Sequence, residues 1–215
     1  MSVPSAHTDT YCRDHLPPAD QQPVFLLDSV PYPEQLNAGV ELTDRLVDQG
    51  LGDRTALIGN GRRRTYKELT DWTNRLAHAL VDDFGIQPGN RVLIRSANNP
   101  AFVACWLAVT KIGAVAVNTM PMLRAGELAK IVDKAEISHA LCDTRLLDEI
   151  KRCAADSRFL KHVIGFDGTA NHDAELDHAA LEKPVHFNAA PTRADDVALL
   201  GFTSGTTGSP KATMH

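Results

Sequence analysis

The chain lacks the features that mark a membrane-spanning, secreted or nucleic-acid-binding protein. Its 22 Lys and Arg are outnumbered by 27 Asp and Glu, and the net charge of −5 gives no electrostatic support for a nucleic-acid partner. The most apolar stretch, residues 101–109, stops at Thr110 and Lys111, well short of the roughly 18 residues that a membrane span requires. Residues 1–9 are polar and contain no apolar segment of the kind found in secretory signals. We therefore expect no membrane span and no nucleic-acid partner.

Cysteine is also sparse, and its spacing argues against two common kinds of site. The four residues Cys12, Cys105, Cys142 and Cys153 are far apart and form no C-x-x-C pair. They predict neither a disulfide framework nor a zinc site. Such cysteine usage suits a reducing cytosol, so we expect a cytoplasmic protein.

Beyond residue 90 the sequence alternates between short apolar segments and longer amphipathic ones. This rhythm implies βαβ crossovers and an α/β fold, a mostly parallel sheet with helices on both faces. It is lost between residues 167 and 194, where His172, Asp173, Asp177 and His178 favour a solvated loop over a metal site because they lack ligand spacing. The predicted strands are 91–96, 114–118, 138–142, 162–166 and 197–202, and the predicted helices begin at Pro100 or cover about 126–134 and 146–155.

The first third of the chain has clear local signals. Residues 1–36 contain six prolines and little periodicity, which predicts an extended arm on the body with its first ten residues disordered. Asn37 is expected to cap a helix to about Gln49, with Leu42 and Leu46 inward and Gly50 closing it. Asn60-Gly61 predicts a hairpin between residues 55–59 and 62–66. Thr65 and Glu68 then form a capping box that opens a helix to about Phe84.

The segment with the most chemical content is residues 203–211, Thr-Ser-Gly-Thr-Thr-Gly-Ser-Pro-Lys, which follows the apolar run 197–202. Glycines allow close approach of the backbone, while amides, hydroxyls and a lysine supply donors and positive charge for a phosphate chain. A polar surface turn is the simpler alternative, but five hydroxyls, two glycines and a terminal lysine in this order argue against it. The segment is not a Walker A motif, because Pro210 precedes Lys211 and disfavours a helix at that point.

These nine residues resemble the phosphate-binding loop of the adenylate-forming superfamily, which contains acyl- and aryl-CoA synthetases, peptide-synthetase adenylation domains and luciferases. The resemblance to the superfamily extends upstream of this loop. The upstream matches are Gly89-Asn90-Arg91-Val92, Asn98, Lys111-Ile112-Gly113-Ala114-Val115, Pro121 and Glu127. Two further features are similar to the aryl-CoA ligases of the benzoate and 2-aminobenzoate type: the run 211–215, and the opening segments 13–18 and 32–37.

The resemblance implies an ATP-dependent carboxylic acid–CoA ligase that is most similar to enzymes for aromatic acids. We expect this fragment to be inactive alone. Its cofactors and partners would be ATP, Mg²⁺, CoA and a small carboxylic acid. No residue of this chain is expected to be catalytic or a metal ligand, and His215 is expected to be frayed. The residues expected to hold the nucleotide phosphates are Thr203, Ser204, Gly205, Thr206, Thr207, Gly208 and Lys211.

The resemblance covers residues 10–215, which correspond to well under half of a family member. We therefore expect an N-terminal fragment: an arm at 1–36 and a partial AMP-binding domain at 37–215, without the C-terminal domain. Truncation should expose apolar surface and favour self-association. Two alternatives stay open, a non-catalytic phosphate-binding module and a P-loop NTPase.

Overall fold

The structure, a computed structural model, describes residues 3–24, 32–169, 171–203 and 210–215. Within these ranges it contains a two-stranded hairpin and a six-stranded sheet with helices packed against it. The strands are β1 (Thr55–Gly59), β2 (Arg62–Thr65), β3 (Arg91–Arg95), β4 (Val115–Thr119), β5 (His139–Asp143), β6 (His162–Phe166), β7 (Leu199–Thr203) and β8 (Lys211–Met214). The helices are α1 (Tyr11–Asp14), α2 (Ala38–Glu41), α3 (Asp44–Leu46), α4 (Tyr66–Asp82), α5 (Pro100–Lys111), α6 (Ala125–Ala135), α7 (Leu147–Asp156) and α8 (Glu175–Leu181).

The six-stranded sheet has the order β6-β5-β3-β4-β7-β8. The first five strands in this order are parallel, and β8 alone pairs antiparallel, with β7. The carboxyl ends of the five parallel strands therefore open on one edge of the sheet, where ligands of open α/β proteins bind.

Helices cover both faces of this sheet. In β3, Val92 and Ile94 join the apolar cluster formed by α4, α5 and α8, while Leu93 joins the cluster formed by α6 and α7. Neighbouring residues of a strand point to opposite faces, so one strand supplies both clusters. The predicted α/β architecture is confirmed.

The local signals at the hairpin and at α4 are confirmed. Asn60 and Gly61 take φ values of 52° and 71° between β1 and β2, as a type I′ turn requires. Thr65 Oγ1 accepts a hydrogen bond from the Glu68 amide at 3.2 Å, and the Glu68 carboxylate accepts one from the Thr65 amide at 2.8 Å. This reciprocal capping box begins α4 where the sequence placed it.

The single helix predicted from Asn37 to Gln49 is wrong, although its cap is correct. Asn37 Oδ1 accepts from the Val40 amide at 3.2 Å, but α2 ends at Glu41. The backbone breaks at the buried Thr43, whose φ of −132° and ψ of −83° are not helical, before α3 and a π-helical turn at Val47–Leu51. Leu42 is 48% exposed and not inward. The break turns Asp44 toward Lys111, a contact that helical periodicity does not predict.

The segment 167–194 is not wholly irregular, because it contains α8. Leu176 and Ala180 bury α8 against the α4 and α5 side of the sheet. His178 pairs with Asp173 at 2.9 Å. In the described ranges, no cluster of three His, Cys, Asp or Glu side chains could hold a metal ion. None of the helices described there is both long and apolar enough to cross a membrane.

The N-terminal segment lies against the amino-end side of the sheet, and its described residues are more ordered than we expected. The amides of Thr8 and Asp9 both donate to Pro88 O at 3.2 Å. The Asp9 carboxylate pairs with Arg91, whose guanidinium lies 4.4 Å from the ring centre of Tyr11. These contacts fix the segment through polar groups that a composition argument does not reveal.

Gly89→Ala is expected to displace this segment. Gly89 has a φ of 88°, and an added Cβ would lie 2.1 Å from the Asp9 carbonyl oxygen. Gly85→Ala is the matched control, because Gly85 has a φ of 66° but nothing within 4 Å of its added Cβ. Backbone strain costs each variant about 1–3 kcal/mol, and only Gly89→Ala adds the clash with Asp9. Gly89→Ala should therefore lower the free energy of unfolding more than Gly85→Ala does, and it should speed amide exchange in residues 8–12. Equal losses with unchanged exchange would contradict the prediction.

Candidate functional site

Strand β7 carries the chain to the carboxyl edge of the sheet. Leu200 is 1% exposed within the core, whereas Thr203, the last residue of the strand, is exposed. The pairing of β7 with β4 places this end beside the carboxyl end of β4. A polar segment that leaves β7 here begins where the ligand of an α/β sheet is expected.

Lys211 lies opposite Thr203. The antiparallel register of β7 and β8 makes these two residues direct partners, and both are exposed. The structure therefore brings together the first and last residues of the predicted phosphate-binding segment. The five residues predicted between them, Ser204, Gly205, Thr206, Thr207 and Gly208, lie outside the described residues.

The element that follows Pro210 separates this segment from a Walker A motif. Lys211 begins a strand, β8, whereas the lysine of a Walker A motif opens a helix. This geometry removes the main structural support for the P-loop NTPase alternative.

Arg95 organises the loop that follows β4 at the same edge. Arg95 is 2% exposed, and its guanidinium donates to the carbonyls of Met120, Pro121 and Leu123 at 3.0, 2.7 and 2.9 Å. Burial lowers the pKa of Arg95. Arg95 was not among the residues predicted from the sequence, although an arginine at the end of an otherwise apolar buried strand is the signal that could have revealed it.

A carboxylate lies at the same edge, at the end of β5. Asp143 is fully buried and accepts from Arg145 Nε at 2.9 Å and from Ser96 Oγ at 3.3 Å. Burial alone would raise the pKa of Asp143, but the hydrogen bonds from Arg145 outweigh it and hold this pKa below its usual value. Asp143 therefore stays ionised and ties the ends of β3 and β5 together.

His215 is placed away from this edge. Its amide donates to Leu199 O at 2.9 Å, and its carbonyl accepts from the Ala198 amide at 2.7 Å, so its backbone is paired and not frayed. Lys211 and His215 are four residues apart along extended chain, or about 13 Å. This separation agrees with leaving His215 out of the phosphate-binding residues.

These features define an open α/β protein with a Ser/Thr/Gly-rich segment joining two strands at the ligand-binding edge. A family model described as AMP-binding enzyme matches residues 45–215. The chain belongs to this family of AMP-binding enzymes.

Individual relatives are similar over most of this chain. A 3-hydroxybenzoate–CoA/4-hydroxybenzoate–CoA ligase of Thauera aromatica is 32% identical over 85% of the chain. The crystal structure of ATP-bound MatB from Rhodopseudomonas palustris covers 83% of the chain at 27% identity with a TM-score of 0.69. That of the anthranilate CoA ligase AuaEII with anthranoyl-AMP covers 86% at 23% identity with a TM-score of 0.76, which supports the fold.

The chain spans only about a third of each of these proteins. It covers 35% of the Thauera ligase, 34% of MatB and 35% of AuaEII. The activity, substrates and partners of a whole protein of this family are therefore matters for proposal.

Proposed function

We propose that this chain is part of an ATP-dependent carboxylic acid–CoA ligase. The observation that carries the proposal is the pairing of Thr203 with Lys211 at the carboxyl edge of the sheet, in a chain of the AMP-binding family. The resemblance of residues 203–211 to the phosphate loop and the ATP-bound state of MatB support ATP as the nucleotide. The division into an arm at 1–36 and a partial domain at 37–215 is part of this proposal.

The proposed reaction has two steps. A carboxylate oxygen of the acid attacks the α-phosphorus of ATP, and pyrophosphate leaves to give an acyl-adenylate. The thiolate of CoA then attacks the acyl carbonyl carbon, and AMP leaves to give the thioester. Both partners of the first step are anions, so this chain's contribution is to neutralise and position charge.

Lys211 and the segment from Thr203 to Gly208 would carry out that role at the β- and γ-phosphates. Lys211 would supply a full positive charge, and the hydroxyls and amides would donate hydrogen bonds, each charge-assisted bond contributing about 1.5–3 kcal/mol. Mg²⁺ would neutralise phosphate charge, held largely by the nucleotide, since the described side chains form no three-residue metal cluster.

An aromatic acid is the substrate class that we propose. The hydroxybenzoates named for the Thauera ligase support it, as does the aryl-ligase resemblance of residues 211–215.

Pyrophosphate release from ATP tests the proposal. The chain would be assayed beside a version extended to family length, with benzoate, hydroxybenzoates, 2-aminobenzoate and aliphatic acids, and with CoA thioester measured in parallel. We expect acid-dependent release and thioester formation in the extended protein only. Release with amino acids alone and no thioester would exclude a CoA ligase. ATP hydrolysis that needs no acid would favour an NTPase, and inactivity of both versions would favour the non-catalytic module.

A further inference from the structure

A second candidate site lies on the two-stranded hairpin and contains no residue of β7 or β8. It is formed by the hairpin, α4, the start of α5 and the segment that follows β6. These elements enclose a cavity of about 50 Å³, the Arg64 pocket. Its lining residues are Gly59, Asn60, Arg62, Arg64, Trp72, Pro100, Ala101, Thr169 and His172.

The Arg64 guanidinium is held by aromatic groups. Its central carbon lies 4.5 Å from the ring centre of Trp72, and its Nη2 lies 2.8 Å from Nε2 of His172. A guanidinium can only donate, so this His172 nitrogen is the acceptor in the contact. The Trp72 and His172 rings meet edge to face at 5.1 Å. The contacts with Trp72 and His172 therefore orient the Arg64 guanidinium without any ligand.

The pocket is not charge-balanced within the described residues. Arg62 pairs with Glu68 at 2.9 Å, but no described carboxylate lies within 4.0 Å of the nitrogens of Arg64. Asp177 is reached only through His172, at 3.6 Å from its Nδ1. Burial, and then the charge of Arg62, lower the pKa of Arg64 against the opposing effect of Glu68. A partly buried cation without a counterion is costly, and an anion would relieve that cost.

We propose that the Arg64 pocket binds a small oxyanion the size of inorganic phosphate. A guanidinium offers parallel N–H donors that match two phosphate oxygens. A single water needs about 10–15 Å³ of cavity on this measure, so a cavity of about 50 Å³ admits one small ion and is too small for a nucleotide or an aromatic acid. No residue of this pocket belongs to the 203–211 segment, so the proposal is independent of the ligase proposal.

The chain contains two tryptophans, Trp72 and Trp106, which provide a site-specific probe with its own reference. The two indole N–H signals would be followed by ¹H–¹⁵N NMR while sodium phosphate is titrated against sodium chloride at constant ionic strength. A Trp72→Phe variant assigns the signals. We expect a saturable shift of the Trp72 signal, with a Kd on the order of 1 mM, and a nearly constant Trp106 signal, because Trp106 does not line the pocket. Absence of a saturable Trp72 shift would overturn the proposal.

Variants separate this site from other phosphate contacts. Arg64→Gln should abolish the Trp72 response, and Arg64→Lys, which keeps the charge but loses the paired donors, should weaken it at least tenfold. Arg63→Gln is the matched control: Arg63 adjoins Arg64 in β2, is exposed and does not line the pocket, so the response should persist. Lys211→Gln should also retain it. A response that survives in Arg64→Gln, or that disappears in Lys211→Gln, would place the phosphate elsewhere; circular dichroism checks that each variant is folded.

Discussion

Replacing Lys211 with glutamine in the protein extended to family length is expected to lower kcat/KM for ATP about 10- to 150-fold, the loss of one charge-assisted contact of about 1.5–3 kcal/mol. The reason is positional. Lys211 is the direct partner of Thr203 at the carboxyl edge, so its ammonium lies at the end of the proposed phosphate segment. Pyrophosphate release with saturating acid, measured over a range of ATP concentrations, gives the value.

The division of this loss between kcat and KM identifies what Lys211 contacts. A contact made equally in the ground state and the transition state raises the KM for ATP alone, whereas one that strengthens as pyrophosphate leaves lowers kcat. Lys130→Gln is the control, because Lys130 is an exposed lysine on α6. A Lys211→Gln enzyme as active as the Lys130→Gln enzyme would exclude Lys211 from the phosphate site.

Signals that depend on neighbouring residues predicted much of this fold. The capping box of Thr65 and Glu68 and the turn at Asn60-Gly61 are complete within a few residues, and both appear in the structure. The strand 162–166 was predicted with its observed bounds. The parallel sheet could be predicted because the segment between successive strands is long enough to carry the chain back to the edge at which the previous strand began.

Features that depend on distant residues could not be predicted in this way. Strand β8 is only four residues long, and it is defined by its pairing with β7. The break at Thr43 accompanies a contact between Asp44 and a lysine 67 positions away. In the candidate site, the segment 203–211 was recognisable from its composition, but the role of Arg95 depends on carbonyls of a loop about 25 residues downstream.

Lys111→Met is expected to be the most destabilising of the substitutions considered. The Lys111 side chain is fully buried and donates to the Asp44 carboxylate and, at 2.7 Å, to Asn74 Oδ1, thereby joining α3, α4 and α5. Removing one partner of a buried pair leaves an uncompensated charge and typically costs about 3–5 kcal/mol. Because the Asp44 side chain is 27% exposed, we expect the low end, about 3 kcal/mol by urea unfolding.

Lys67→Met provides the matched control for this measurement. Lys67 pairs with Asp71 four residues on along α4, and these side chains are 51% and 30% exposed. Exposed pairs contribute about 0–1 kcal/mol, so this variant should remain close to the parent protein. Similar losses for Lys67→Met and Lys111→Met would show that the buried pair has no special role.

The pH dependence of the Lys111→Met loss distinguishes a stranded charge from a simple packing defect. Burial alone would raise the pKa of Asp44, but the hydrogen bond and charge of Lys111 outweigh it, so this pKa lies below the usual 3.8. In the parent protein the stabilisation is therefore present above the unfolded-state pKa and is lost as the pH falls through the lower folded-state pKa. Without Lys111, burial should raise the pKa of Asp44, which is then protonated on acidification and no longer a stranded charge. The difference in stability between parent and variant should thus be largest near neutral pH and shrink toward pH 4, whereas a cavity left by the lysine stem would produce a loss that does not change with pH.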